Sequence, residues 1–306
     1  MCGICGFTGK KREDTLKKMT DVITHRGPDS VGYYQDERIS MGFRRLSIID
    51  LDKGHQPIFN EDKTLVLTFN GEIYNYKELR EELISLGHSF STETDSEVLV
   101  HGFEEWGEKL LYRLRGMFGF AIYNTKDQSV FIARDFFGIK PMHYAVVNGE
   151  LIYGSEIKSI LQHPDYHKKF NYRALDNYLS FQYVVPPETF FEDIYCLLPG
   201  HFMWFRDGRV KVTRYFEATF QPYNKLTEQE AVDKIEAAFE DSVNAHKISD
   251  VEVGCFLSSG VDSSYVSTYF ADQKTFTVGF DFGEHYNEIS WAEGLSKQIG
   301  VEHHTH

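Results

Sequence analysis

Apolar residues along this chain repeat at two periods, and the switches between them mark its elements. Residues 16–23 carry apolar positions at helical spacing and run into His25-Arg26-Gly27-Pro28-Asp29, where Gly-Pro fixes a loop. Residues 32–35 and 38–43 read as strands around Asp36-Glu37. Arg45-Leu46-Ser47-Ile48-Ile49-Asp50 is strand-like at its apolar end, with an arginine at its entrance. Residues 65–69 read as a buried strand stopped by Asn70-Gly71-Glu72, followed by a helical pattern with Leu79, Leu83 and Ile84 and with Gly87 as its stop. Thr94-Asp95-Ser96-Glu97 has capping-box spacing ahead of a further apolar helix. From residue 117 alternation takes over, with strands predicted at 117–123, 129–135, 143–147 and 151–153, the last two joined by an Asn148-Gly149-Glu150 turn. A short amphipathic helix is predicted at 155–161. This many strands, with helices between and after them, predicts two sheets packed face to face with helices outside.

Beyond residue 194 the pattern changes again. Apolar stretches at 195–199 and 202–205 precede a hairpin turn at Arg206-Asp207-Gly208-Arg209 and a strand at 210–216. Gln221-Pro222-Tyr223-Asn224-Lys225 reads as a linker. Thr227-Glu228-Gln229-Glu230 again has capping-box spacing, with Leu226 placed to staple against Ala231. The helix it opens sets Val232, Ile235, Phe239 and Val243 on one face. A strand at 251–257, the loop Ser258-Ser259-Gly260-Val261-Asp262-Ser263-Ser264, a helix to 270, a strand at 275–280 and a helix at 291–299 closed by Gly300 follow. That succession is the start of a doubly wound parallel sheet.

Composition narrows the functions open to such a chain. Its 306 residues are 42% hydrophobic and 15% aromatic, enough to fill a core. The net charge of −14 argues against a nucleic-acid partner, which would need clustered Lys and Arg. No charged start leads into an apolar signal region and no apolar run reaches membrane-spanning length, so a soluble cytoplasmic protein is expected. Four cysteines (Cys2, Cys5, Cys196 and Cys255) are too few for a disulfide framework.

The first six residues, Met1-Cys2-Gly3-Ile4-Cys5-Gly6, carry the clearest chemistry. Removal of Met1 would give Cys2 a free α-amine beside its thiol, and an α-amine with a pKa near 7.7–8.0 can serve as the base that a thiol nucleophile needs. The alternative is a buried N-terminal strand with two incidental cysteines. Cys2-x-x-Cys5 as a redox or zinc pair lacks either a second ligand pair or the usual strand-to-helix setting, and no metal ligands are assigned. Asn70-Gly71 at a strand end offers a side-chain amide and backbone N–H groups suited to an oxyanion, or else forms a hairpin turn. Asp95 either favours a helix N-terminus or receives the ammonium of an amino-acid substrate. The serine- and glycine-rich loop at 258–264 is a phosphate cradle without the lysine of a Walker A loop. His303, His304 and His306 are read as the start of another strand rather than a metal site.

Taken in order, Met1 to Phe7, His25 to Asp29, Arg45 to Asp50, Phe69-Asn70-Gly71-Glu72-Ile73-Tyr74-Asn75, Thr94 to Glu97 and Arg134-Asp135 through Gly138 resemble the class II glutamine amidotransferase domain of glutamine-hydrolysing asparagine synthetases. The resemblance implies an α+β four-layer sandwich (α/β/β/α, N-terminal nucleophile hydrolase type) over residues 2–217, a linker at 218–227, and a partial α/β parallel-sheet nucleotide-binding domain at 228–306. It implies Cys2 as nucleophile and Asn70 and Gly71 as oxyanion hole. Arg45, Leu46, Ser47, Ile48, Ile49, Asn70, Gly71, Glu72 and Asp95 would bind glutamine, with Arg45 on the α-carboxylate and Asp95 on the α-ammonium. The loop resembles the S-G-G-x-D-S motif of ATP pyrophosphatases, with Ser259 replacing the first glycine. Leu257, Ser258, Ser259, Gly260, Val261, Asp262, Ser263 and Val278 would then bind ATP, with Mg²⁺ neutralising the triphosphate. The implied reaction adenylates aspartate and amidates it with ammonia from glutamine, giving asparagine, AMP and pyrophosphate. Partners are glutamine, aspartate and ATP, and a homodimer fits the family. A relative amidating another carboxylate, such as a cell-wall precursor, has the same motifs, and a non-catalytic metal-binding or scaffold module is the contrasting class. Against the family pattern the sequence stops early, with only two strands of the second sheet, so a fragment or shortened chain with glutaminase activity alone is expected.

Overall fold

A computed structural model describes the chain except for residues 52, 221, 223, 224, 271, 272 and 281–286. The chain forms two compact units, Met1–Phe220 and Gln221–His306.

In the first unit the strands are β1 (Gly3–Thr8), β2 (Ser30–Gln35), β3 (Ile39–Arg45), β4 (Ile58–Phe59), β5 (Leu65–Ile73), β6 (Gly116–Asn124), β7 (Val130–Arg134), β8 (His143–Val147), β9 (Glu150–Gly154), β10 (Ile194–Cys196), β11 (His201–Arg206) and β12 (Arg209–Arg214). The helices are α1 (Glu13–Asp21), α2 (Tyr76–Ser85), α3 (Glu97–Trp106), α4 (Ile157–Ile160) and α5 (Tyr172–Phe181). Two six-stranded sheets form, in the orders β10-β8-β9-β1-β3-β2 and β12-β11-β7-β6-β5-β4. Their inner faces share one apolar core that includes Ile4, Met41, Phe43, Val66, Tyr123, Ile132, Tyr153 and Met203. Alternation explains this core, since successive residues of a strand point to opposite faces. On β1, Ile4 enters the inter-sheet core, whereas Cys5 and Phe7 join Leu16 and Met19 of α1 and Ile160 of α4 in a second cluster on the outer face. On the far sheet α3 covers the outer face, where Phe103 lies against Phe131 and Phe131 against Trp204. Helix, sheet, sheet and helix are thereby stacked.

The second unit contains α6 (Glu228–His246), β13 (Gly254–Phe256), α7 (Val261–Thr268), β14 (Lys274–Thr277), α8 (Ile289–Ile299) and β15 (Glu302–Thr305). Its sheet is parallel, in the order β13-β14-β15. Besides the two strands read in full there is a third, β15, where the terminal histidines were read as a strand start: His303 and His304 pair with Thr275 and Phe276. Thr227 and Glu230 form the capping box that opens α6. Of the apolar face expected on that helix, Val243 is buried and Phe239 packs on Tyr265, whereas Val232 and Ile235 are exposed. The linker residues Gln221, Tyr223 and Asn224 lie outside the described residues.

Several boundaries depart from the sequence reading. The strand expected to stop at Asn70-Gly71 continues to Ile73, with Asn70 opposite Gly119 and Gly71 opposite Phe118. Gly71 fits because a Cβ there would lie 2.2 Å from the Met117 carbonyl oxygen. The capping box at residues 94–97 does not form. Ser96 is the N-cap and makes no side-chain cap. Glu97 turns instead to the N–H groups of Ser91 and Thr92. Residues 48–50 form no strand, and the strand expected at 251–257 shortens to β13.

The loop after β7 is organised by one buried carboxylate. Asp135, 1% exposed, accepts the N–H groups of Phe118 (3.2 Å), Phe137 (3.1 Å), Ile139 (2.9 Å) and Lys140 (2.9 Å). Asp135→Ala would leave these donors without an acceptor, and each buried unsatisfied group costs about 1–3 kcal/mol. The variant should lose at least ~3 kcal/mol in a urea-unfolding measurement; a loss within error of zero would show that the loop is held by other contacts.

Candidate active site

Cys2 sits at the entrance of β1, and its surroundings are built by residues distant in sequence. The Arg26 Nε donates to the Cys2 carbonyl at 2.9 Å, and the same guanidinium reaches Glu156 Oε1 at 3.0 Å. Glu156 also meets His25 and Lys158. Burial raises this carboxyl, but hydrogen bonds from Lys158, His25 and Arg26 outweigh it and hold it at about 2. Gly27 beside this clamp can carry no Cβ, which would stand 2.4 Å from the Arg44 carbonyl carbon. Asp29 accepts the Ser47 N–H at 2.8 Å, fixing the segment after β3. That segment contacts the thiol directly: the Leu46 N–H points to Cys2 Sγ at 3.4 Å, and Sγ lies 3.5 Å from the Leu46 carbonyl oxygen.

A cavity of about 190 Å³ opens at this thiol. Of the residues assigned to glutamine, Cys2, Arg45, Leu46, Ile48, Ile49, Asn70, Gly71, Glu72 and Asp95 all line it. Ser47 does not, since it faces Asp29 through its N–H. Three further lining residues were absent from the sequence reading: Gly54, Gln56 and Lys140. No motif announces them, because each reaches the cavity through a loop or strand neighbour that local spacing does not reveal.

The edge of β5 supplies the donors. Phe118 bonds Asp135 with both its N–H and its carbonyl, so its partner Gly71 turns its own polar groups to the other side of β5. Beyond Val66 and Leu67 that edge has no strand partner among the described residues. The Phe69 N–H is taken by Gln56 Oε1 at 2.7 Å, and the Ile73 N–H by Asp95 Oδ2 at 2.8 Å. The Gly71 N–H lies between them on the same edge, beside the cavity. The side-chain amide nitrogen of Asn70, 1% exposed, has no hydrogen-bond partner among the described residues.

Charged groups complete the lining. The Arg45 guanidinium donates to the carbonyls of Leu51 (3.1 Å), Ile49 (3.2 Å) and Asp50 (2.6 Å). Three of its five N–H donors are thereby used in fixing its plane. Burial pushes the Asp95 carboxyl up to about 7, against the pull of N–H donors from Ile73, its own residue and Ser96. Burial likewise raises the Cys2 thiol, against the Leu46 N–H and the chain terminus, and lowers the Lys140 ammonium. A thiol held protonated in this way needs a base to become a nucleophile. Cys5 has no such prospect: it is fully buried, and desolvation pushes its thiol to about 12.

In the second unit two cavities lie at the carboxyl ends of β13 and β14. One of about 210 Å³ is lined by Leu257, Ser258, Ser263 and Val278 among others. Another of about 650 Å³ includes Ser258, Ser259 and Ser264 in its wall. Gly260 is the N-cap of α7, while Val261 and Asp262 form its first turn and line neither cavity. Ser259 has no positive φ, so the loop asks for no glycine there. Its hydroxyl donates to Glu288 at 2.7 Å.

Comparison with known proteins decides the family. The glutamine amidotransferase domain model matches residues 1–216. The chain belongs to that family. An asparagine synthase model also matches, over residues 234–306. Glutamine-hydrolyzing asparagine synthetase 1 of Bacillus subtilis (strain 168) is 41% identical over 314 residues, covering 99% of this chain and 49% of that protein. Asparagine synthetase 2 of the same organism, also named glutamine-hydrolyzing, is 37% identical over 326 residues, covering 99% of this chain and 43% of its own. The chain thus spans about half the length of the curated relatives it matches. The solved glutamine PRPP amidotransferase of B. subtilis, complexed with ADP and GMP, has a TM-score of 0.53 at 15% identity, covering 99% of this chain and 65% of that one, and shares the fold.

The buried Asp95 gives the amidotransferase domain a pH-dependent weak point. Its ordinary pKa of 3.8 rises to about 7 in the fold. The folded protein therefore keeps a proton that the unfolded chain loses, and stability from this group is greatest in acid and falls as pH rises towards 7. Asp95→Asn should raise the melting temperature of the ligand-free protein above pH 7 and change it little near pH 4. An unchanged or lower melting temperature at pH 8 would contradict the burial cost assigned to this carboxylate.

Proposed function

We propose that the first unit hydrolyses the side-chain amide of glutamine with Cys2 as nucleophile. The observation that carries this reading is the pair of donors on β5, the unpartnered Asn70 amide and the outward Gly71 N–H, lining the same cavity as the Cys2 thiol. With Met1 removed, the Cys2 α-amine takes the thiol proton as sulfur attacks the amide carbon. Asn70 and Gly71 stabilise the oxyanion of the tetrahedral intermediate. The amine then passes its proton to the departing nitrogen, ammonia leaves, and a thioester remains on sulfur. Water, deprotonated by the same amine, cleaves the thioester to glutamate and the free thiol. Arg45 grips the α-carboxylate of glutamine and Asp95 its α-ammonium, whose charge offsets the desolvation of that carboxylate.

The whole reaction we infer is that of a glutamine-dependent asparagine synthetase, supported by the asparagine synthase match over residues 234–306 and by the named relatives. The serine hydroxyls of the loop, at the carboxyl ends of parallel strands and at the start of α7, fit a phosphate group. Ser258, Ser259, Ser263, Leu257 and Val278 would hold ATP, which when bound would activate the acceptor carboxylate, that of aspartate. Mg²⁺ would arrive on the triphosphate, since the described residues place no cluster of three metal-ligating side chains at this loop. No helix among the described residues is long and apolar enough to cross a membrane.

Glutamate release from glutamine tests the first step. The purified chain should produce glutamate, Cys2→Ala should produce none, and Cys5→Ala should stay active. Asn70→Ala should lower kcat by roughly 10²–10³-fold. A folded Cys2→Ala protein that still released glutamate would overturn the assignment. The pH dependence carries a second expectation: because ammonium recognition needs ionised Asp95, KM for glutamine should fall as pH rises through about 7. A flat KM profile would remove Asp95 from the site. Asparagine as product is tested by supplying glutamine, aspartate and Mg·ATP to the protein expressed from its complete reading frame, where AMP and asparagine should appear in equal amounts.

A further inference from the structure

On the first unit, away from the Cys2 cavity, two histidines and two glutamates converge from three separate segments. One ligand atom each from Glu61, His88, His101 and Glu104 lies within 4.8 Å of all the others. Glu61 follows β4, His88 follows α2, and His101 and Glu104 share one face of α3 at i and i+3. Glu61 Oε1 is 3.2 Å from His88 Nδ1, and its Oε2 is 3.2 Å from His101 Nδ1. Ligands around a tetrahedral zinc ion at bonds of ~2.1 Å stand roughly 3.4 Å apart, so the two histidine–Glu61 separations are close to that spacing and the whole set, within 4.8 Å, needs a modest contraction.

The decisive atom is His101 Nδ1. The residue is 1% exposed, and this nitrogen has no hydrogen-bond partner among the described residues although Glu61 is 3.2 Å away. Closeness without hydrogen-bond alignment is what two ligands of one ion show. The opposite nitrogens are held as well. His101 Nε2 lies 3.3 Å from Glu97 Oε1, and His88 Nε2 lies 3.6 Å from Glu105 Oε2. A carboxylate on the far nitrogen fixes ring orientation and strengthens a metal-binding histidine. The oxygen ligands have second partners too: Glu61 Oε1 accepts the Ser89 N–H at 2.9 Å, and Glu104 Oε2 accepts Asn60 Nδ2 at 2.9 Å. A cavity of about 320 Å³ reaches Glu61, Glu97 and His101 and gives an ion a way in.

We infer that His88 and His101, each through Nδ1, together with Glu61 and Glu104 bind a zinc-like divalent transition-metal ion in a closed structural site. Two imidazoles select against Ca²⁺ and Mg²⁺, which take oxygen ligands, and four protein ligands leave no open position for chemistry. The ion fastens the turn after β4 and the segment after α2 to the middle of α3. It thereby steadies the helix whose N-terminal side carries Asp95.

The test is titration of the chelator-stripped full chain with Zn²⁺ alone, followed by calorimetry and by thermal unfolding. One equivalent should bind and raise the melting temperature. His303→Ala/His304→Ala/His306→Ala and Cys2→Ala should keep that equivalent, because those groups lie outside the cluster. His88→Gln should lose it, and Glu105→Gln should weaken it by about 10–100-fold. Glu104→Gln, at an exposed position that leaves the buried histidine intact, should weaken binding even if His88→Gln fails to fold. Co²⁺ should give the intense visible absorption of a four-coordinate site in the wild type and lose it in Glu104→Gln. Absence of stoichiometric uptake by the wild type would overturn the assignment, as would its loss in the terminal-histidine variant or its full retention in both His88→Gln and Glu104→Gln.

Discussion

The unpaired edge of β5 is the constraint from which the candidate site follows. Beyond Leu67 no strand among the described residues continues the ladder, yet backbone donors there are buried and require acceptors. Gln56 bonds both the N–H and the carbonyl of Phe69 with its side chain, acting as a one-residue strand. Asp95, brought in ahead of α3, accepts the Ile73 N–H. Between these two occupied positions lies Gly71, with Asn70 beside it. The sheet thus turns a backbone donor to the cavity, which is the feature that the proposed oxyanion role rests on.

Burial sets the electrostatics of the same cavity. It raises the Cys2 thiol and the Asp95 carboxyl and lowers the Lys140 ammonium, so each group is drawn towards its neutral form. In the proposed function glutamine enters as a zwitterion whose two charged ends would meet Arg45 and Asp95. Its ammonium would then supply the buried carboxylate with a counter-charge. This ties substrate recognition to a local loss of stability in the free protein, a common trade at sites built for charged ligands.

Much of this was legible in the sequence because the relevant residues sit in short, distinctive motifs. Cys2, Arg45, Asn70, Gly71, Glu72 and Asp95 all line one cavity. What escaped was whatever depends on tertiary neighbours. Asn70-Gly71 looked like a stop, but pairing with Gly119 and Phe118 carries the strand through. Two stretches had capping-box spacing and only one forms: Glu230 is solvent-exposed with Thr227 at hand, whereas Glu97 is drawn away by Ser91, Thr92 and His101. Gln56 and Lys140 carry no local signal. Glu61, His88, His101 and Glu104 span 44 residues without a ligand-like spacing between the first three, and the packing of α3 against α2, β4 and β5 brings them together.

The central claim is that Cys2, with its own free amine, is the nucleophile facing the Asn70–Gly71 donors. It is tested most directly by treating the protein with an electrophilic ketone analogue of glutamine and mapping the adduct by peptide mass spectrometry. A single adduct on the Cys2 sulfur, in a chain that begins at Cys2, is the predicted result. An adduct on Cys5, Cys196 or Cys255, or an adduct on Cys2 with Met1 still attached, would contradict it.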